Sequence, residues 1–118
     1  MITQEDIDAF KIVDVTPMDY SYWVEGKITT RGEKRLMENT LGLAGEAGEV
    51  AEKIKKYLRD DTKVSQKEII KELGDVVFYA TALANYFYSN LPEVLQYNMD
   101  KLNSRAERGV IKGSGDNR

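Results

Sequence analysis

The chain has no histidine and no cysteine among its 118 residues. A histidine general base, a serine–histidine–aspartate triad and histidine-bearing zinc or di-iron sites are therefore excluded. The missing cysteine removes disulfides and thiol nucleophiles and bounds the redox compartment only weakly. Prolines are scarce: Pro17 and Pro92 alone, each reading as a first-turn helix residue. No apolar run approaches the ~20 residues that span a bilayer. The start, "MITQEDIDAF", lacks the basic flank and apolar centre of a signal peptide. A basic excess is also missing, with net charge −3, which argues against nucleic-acid binding. These absences predict a cytoplasmic protein without a membrane partner. Any hydrolytic chemistry must come from carboxylates, lysines, tyrosines or a metal held by oxygen.

What is present is helical. A hydrophobic fraction of 42% and a charged fraction of 31% fit an ordered domain rather than a disordered chain. Residues 1–118 read as a single domain, with its core in 30–108 and an extended tail over 109–118. At that length, association with further copies helps to bury apolar surface. Capping pairs punctuate the chain: Thr3 with Asp6, Thr16 with Asp19, Thr30 with Glu33 and Ser65 with Glu68. Helices are predicted at 4–11, 17–27, 32–58, 66–89 and 92–107. "RDDTKV" (59–64) reads as a polar connection and "SNLP" (89–92) as a tight turn. With no strand pattern, the fold class is all-α, a bundle of four to five helices. Two long helices pack antiparallel and the last long segment returns across them. "VVFYATALANYFY" is apolar on almost every face. Such a helix is buried all round, and in so short a chain its second face predicts an oligomer.

Within these helices one pattern occurs twice. "GEAGEVAEKI" (45–54) and "KELGDVVFYA" (71–80) both carry E-x-G-(E/D)-V. Glu46 and Glu49 match Glu72 and Asp75 at a constant offset of 26 positions, and Gly48 and Val50 match Gly74 and Val76. The apolar face of 32–58 runs through Leu36, Leu43, Ala47, Val50, Ala51, Ile54 and Leu58. That of 66–89 runs through Ile69, Leu73, Val76, Val77, Ala80 and Ala84. Glu46 and Glu72 lie on the shoulders of these faces, with Glu49 and Asp75 further round. Packed together, the two faces gather four carboxylates at one flank of the core, where they repel unless a cation sits between them. Oxygen ligands alone suit Mg²⁺, with Mn²⁺ as a substitute. Set against this, a glutamate on a helix is usually solvated, and Glu49 with Lys53 makes an ordinary i, i+4 pair.

Further candidates lie nearby. In 92–107, with Leu95, Met99, Leu102 and Ala106 as the buried stripe, Asn98, Lys101, Arg105 and Arg108 form one polar flank. Cations beside a carboxylate–metal site suit a polyphosphate. A basic helix C-terminus is equally what the helix dipole favours. Tyr79, one turn after Asp75, can reach a phosphate or sugar, and Tyr20, Tyr22 and Trp23 can stack a base or simply pack. Gly42, Gly45, Gly48 and Gly74 weaken a helix interior, so each calls for a compensating close approach.

In this order the residues resemble the MazG-like, all-α nucleotide pyrophosphohydrolases. E-x-x-E, 22 residues, then E-x-x-D is similar to the signature of that family, and "LGLAGEAGEVAEKIKK", "ELGDVVFYATALA" and "NMDKLNSR" to its flanking blocks. The likeness covers residues 33–108, with a fainter echo in "GSGDNR". Many members carry Glu where this chain has Gly45, which moves the match toward short phage and bacterial members. The resemblance implies Mg²⁺-dependent hydrolysis of a (deoxy)nucleoside triphosphate to monophosphate and pyrophosphate, in a homodimer or homotetramer. It implies Glu46, Glu49, Glu72 and Asp75 as metal ligands, and Asn98, Lys101 and Arg105 as phosphate-binding residues. One carboxylate orients or deprotonates water; Glu49 is favoured, with Asp75 close behind. Two other readings stay open: phosphoribosyl-ATP hydrolysis, and a non-catalytic helical interaction module.

Overall fold

The computed structural model describes residues 1–9, 14–60 and 64–109. The described residues form five helices: α1 (Gln4–Asp8), α2 (Pro17–Lys27), α3 (Gly32–Asp60), α4 (Gln66–Tyr86) and α5 (Leu91–Glu107). No strand occurs among them, so the all-α class holds. No helix among the described residues is long and apolar enough to cross a membrane. The expected tail beyond Gly109, the end of the expected first helix and the middle of the "RDDTKV" connection lie outside the described residues.

Local chemistry sets the helix starts. Thr3 Oγ1 accepts the Asp6 N–H while the Asp6 carboxylate accepts the Thr3 N–H, and Ser65 and Glu68 repeat this reciprocal box. Thr16 Oγ1 accepts the Asp19 N–H, ahead of Pro17 in the first turn. The Thr30–Glu33 signal does not mark a start. α3 opens at Gly32 instead, which enters the helix at φ +60°, where glycine carries no Cβ penalty. α4 stops at Tyr86 rather than running to 89. Tyr88 turns left-handed at φ +60°, and the Ser89 N–H returns to the Ala84 carbonyl at 2.9 Å. That is a Schellman closure, with a tyrosine where glycine is usual. Asn90 then caps α5 by accepting the Glu93 N–H, a signal hidden in the "SNLP" turn.

α3 packs along α4, α2 packs on α4 and α5, and α5 packs on α4 but not on α3. α2 is the fastener. Ser21 Oγ accepts the Leu91 N–H at 2.9 Å, and Asn85 Nδ2 donates to the Ser21 carbonyl at 3.0 Å. Arg35 of α3 grips Glu25 of α2 through two bonds of 2.7 Å, and also donates to the Ala82 carbonyl of α4. Together these fix α2 over the end of the α3–α4 pair.

Within one chain only part of α4 is buried, which leaves a second face open as expected for a helix apolar all round. Thr81, Ala82 and Ala84 are buried, but Leu73 is 46% exposed and Val77 and Ile70 are open too. The stripe expected to be buried on α5 is outside, with Met99 59% exposed, while Arg105 on the flank beside it is only 4% exposed. Ile54 and Leu58, near the end of the α3 face, are exposed as well. The helix pairing accounts for this: α5 packs on α4 and α2 but not on α3. Helices with few neighbours leave apolar faces uncovered.

Candidate active site

The repeated motif converges as a trio. Glu46 of α3 and Glu72 and Asp75 of α4 each offer a carboxylate oxygen, and these lie within 4.8 Å of one another. Glu46 and Glu72 are half-buried and Asp75 is exposed. Partial burial and the charge of Asp75 hold the Glu46 carboxyl above the ordinary carboxylate range. A hydrogen bond with Glu72 and the charges of Glu72 and Glu49 add to the shift. This is the signature of like charges crowded together, each favouring protonation of its neighbour. Glu49 belongs to the field but not to the trio, and its side chain is exposed. Lys53, expected beside Glu49, instead reaches across to Glu72 at 3.8 Å. That cross-helix pair supplies countercharge at one end of the cluster.

Register brings the trio together. The Tyr79 ring of α4 lies directly on Gly42 of α3, so closely that a Cβ there would overlap it. Each step of four along α3 is matched by a step of four back along α4: Gly42 faces Tyr79, and Glu46 faces Asp75. Only an antiparallel pair does this. Gly42 therefore has the close approach expected of it, whereas a Cβ at Gly45, Gly48 or Gly74 would meet nothing within 4 Å. The space beside those three is open.

An aromatic ladder runs beside the trio. Tyr20 stacks on Trp23 (5.6 Å between centroids), Trp23 meets Phe78 edge-on (6.0 Å), and Phe78 meets Tyr79 edge-on (5.3 Å). Burial and the nearby charge of Asp75 push the Tyr20 hydroxyl above its usual pKa, which ties the ladder to the acidic site. Val15, Asp19, Tyr20 and Trp23 line an apolar recess of about 330 Å³. Tyr22 is exposed and is not part of the ladder.

The α5 candidates divide. Asn98 and Lys101 are exposed, Arg105 is buried, and α5 touches α4 but not α3. The expected polar flank is therefore open to solvent at Asn98 and Lys101 and closed at Arg105. The sequence reading missed two features. The Arg35–Glu25 pair spans ten positions and leaves no local trace. Asn39, 3% exposed, sits between Leu36 and Leu43 on the apolar stripe of α3, and that break in the pattern was the available signal.

The trio offers only hard oxygen ligands at a spacing that a divalent cation can bridge. The sequence profile of the MazG nucleotide pyrophosphohydrolase domain matches residues 34–110, which include all three carboxylates. The chain is 52% identical over 83 residues to the "Gene 37 protein" of Mycobacterium phage L5, an alignment covering 67% of this chain and 73% of that protein. No solved structure matches at a significant level. With a duplicated acidic motif brought together by two antiparallel helices, and a profile match over most of its length, the chain belongs to the MazG nucleotide pyrophosphohydrolase domain family.

Proposed function

We propose that this protein hydrolyses (deoxy)nucleoside triphosphates to the monophosphate and pyrophosphate, with Mg²⁺ held by Glu46, Glu72 and Asp75. The observation that carries the reading is the carboxylate trio within 4.8 Å, with Glu46 pushed toward protonation by its neighbours. A site of that kind is unfavourable empty and favourable around a cation. Oxygen donors alone fit Mg²⁺, or Mn²⁺ in its place. When bound, such an ion supplies positive charge that neutralises the triphosphate and eases attack at phosphorus.

The remaining work falls to the chain. Glu49, exposed beside the trio and outside it, completes the ligand set or accepts the proton of the attacking water as general base. Lys53, already paired to Glu72, tempers the negative field that would repel a triphosphate. Asn98 and Lys101 from the surface of α5, and Arg105 from its buried side, hold the phosphates of the leaving pyrophosphate. Tyr20 and Trp23 give the nucleoside an apolar wall next to Asp75. The open faces of α4 and α5 support a homodimer or homotetramer, since apolar surface of that extent is covered in solution.

The test is pyrophosphate release from a panel of nucleoside triphosphates with and without Mg²⁺, on protein fractionated by size. Metal-dependent release eluting with an oligomer, and lost in Asp75→Asn with helicity unchanged, is the expected result. A wild-type protein that releases no pyrophosphate from any nucleotide, phosphoribosyl-ATP included, would leave only the interaction-module reading.

A further inference from the structure

Four of the five helices open on a cap residue followed three positions later by a carboxylate: Asp6, Asp19, Glu68 and Glu93. Three of these carboxylates are engaged locally. Asp6 and Glu68 fold back onto the cap N–H, and Glu93 accepts the Ser89 hydroxyl at 2.7 Å. Asp19 differs. Its backbone N–H donates to Thr16 Oγ1 at 3.1 Å, but its carboxylate accepts no hydrogen bond and pairs with no cation among the described residues. That carboxylate lines the apolar recess of about 330 Å³ together with Val15, Tyr20 and Trp23. It is exposed, so a ligand can reach it.

The recess adjoins the acidic trio. Tyr20 feels the charge of Asp75, and Trp23 meets Phe78, which follows Asp75 by three residues on α4. Its volume lies at the lower end of small-ligand pockets, about 300–1,000 Å³, which suits one ring system rather than a whole nucleotide. Apart from Asp19 the walls are one aliphatic and two aromatic side chains, so a flat base fits them. The carboxylate then decides which base. It presents two acceptor oxygens side by side and no donor. Guanine alone among the common bases sets two donors next to each other, N1–H and N2–H, on one edge. Adenine and cytosine place their amino group beside a ring-nitrogen acceptor, and uracil and thymine flank N3–H with two carbonyls. Each of those acceptors would face a carboxylate oxygen and repel it.

We propose that this recess is a guanine-reading subsite, in which the Asp19 carboxylate accepts N1–H and N2–H of the base against the Tyr20 and Trp23 walls. The assignment rests on the nucleotide reading given above and makes Asp19 a specificity-determining residue. Two parallel hydrogen bonds to one carboxylate are charge-assisted and fix the orientation of a planar partner. Hypoxanthine keeps N1–H but lacks the amino group, so it ranks second. The start of α2 does not depend on the carboxylate, because Thr16 caps it through the Asp19 backbone N–H.

The experiment measures calorimetric Kd values for the α,β-imido analogues of dGTP, dITP and dATP with Mg²⁺, which report binding without turnover. It compares wild type, Asp19→Ala and Asp19→Asn, with melting temperature recorded for each. Wild type is expected to favour the dGTP analogue over the dATP analogue by roughly 10- to 100-fold, the range for hydrogen bonds to a charged group, with the dITP analogue between them. Asp19→Ala removes both acceptors and should bring the three Kd values together. Asp19→Asn offers one acceptor and one donor, which match the amino group and N1 of adenine, so the preference should turn toward the dATP analogue. Any effect of the lost charge on the triphosphate acts on all three analogues and cancels in their ratios. A wild-type protein without the expected order, an Asp19→Ala variant that retains it, or substitutions that shift all analogues equally overturn the proposal. Should the order follow Asp19 while wild type releases no pyrophosphate from dGTP, the base contact stands and the hydrolytic reading fails. Turnover with an order indifferent to Asp19 gives the converse.

Discussion

Replacing Gly42 with alanine should damage the protein, although alanine is the better helix former. The added Cβ would lie 2.6 Å from the Cδ1 and Cζ atoms of the Tyr79 ring and closer still to Cε1. Ordinary carbon–carbon contact needs about 3.5–4.0 Å, so the ring or the helix must yield by about 1 Å. Tyr79 meets Phe78 edge-on at 5.3 Å and borders a cavity of about 180 Å³, so relief comes from turning the ring, separating α3 from α4, or both. Overpacking of this kind costs about 1–3 kcal/mol, offset by about 0.5–1 kcal/mol of improved helix propensity. The net loss of about 1–2 kcal/mol corresponds to a melting temperature lower by roughly 4–8 °C in a chain of this size. The wedge sits one turn from Glu46 and Asp75, so Mg²⁺ affinity should fall as well. Adding Tyr79→Ala to Gly42→Ala should restore the helix spacing and part of that affinity. Thermal denaturation and calorimetric Mg²⁺ titration of the single and double variants read both effects. A Gly42→Ala protein that melts at or above wild type would refute the close-approach argument.

Two other perturbations probe the electrostatics. Glu46→Gln removes a carboxylate crowded by Asp75 and Glu72, so the metal-free protein should melt higher than wild type while losing Mg²⁺-induced stabilisation. A lower melting temperature without metal would mean that the crowding carries no cost. The Glu25 carboxyl is held below its usual range by the Arg35 guanidinium. A depressed carboxylate pKa gives stability that is present above the unfolded value of about 4.5 and lost as pH falls through the folded value. Denaturant midpoints of wild type should therefore drop more steeply below about pH 4.5 than those of Glu25→Gln, and parallel profiles would dismiss the pair.

Helix content and the pairing of α3 with α4 were legible because both rest on local rules. Thr3–Asp6 and Ser65–Glu68 are reciprocal caps that any reader of spacing finds, and the structure forms both. The offset between Glu46 and Glu72 carried over into the trio because identical helical spacings present identical faces. What sequence spacing could not supply was which face each helix turns to its neighbours. On α5 the periodic stripe of Leu95, Met99 and Leu102 looked like the buried side, yet these residues are exposed and Arg105 is buried. Hydrophobic periodicity says that a face wants covering, not that this chain covers it. Glu49 left the trio for a similar reason: its position further round α3 points it outward once α4 is in place. Asn39 was readable in principle as one polar residue on an apolar stripe, but only the structure shows that it is buried.

The matched steps of α3 and α4 also decide which lengths of chain are free to change. The acidic cluster is aligned by register between two helices, not by a loop that cradles it. A residue inserted between Gly42 and Glu46 would rotate Glu46 by about 100° relative to the Tyr79 contact and carry it off the flank. Residues added between Asp60 and the buried Val64 would alter mainly the closure of the connection, which costs about 0.6 kcal/mol per doubling of its length, because the Ser65–Glu68 box restarts α4. Chain length is therefore strictly set inside α3 and α4 and less so at the connection between them. Insertions and deletions that preserve this site belong at the connection after Asp60, and none belongs in the stretch from Gly42 to Glu46 or from Glu72 to Tyr79.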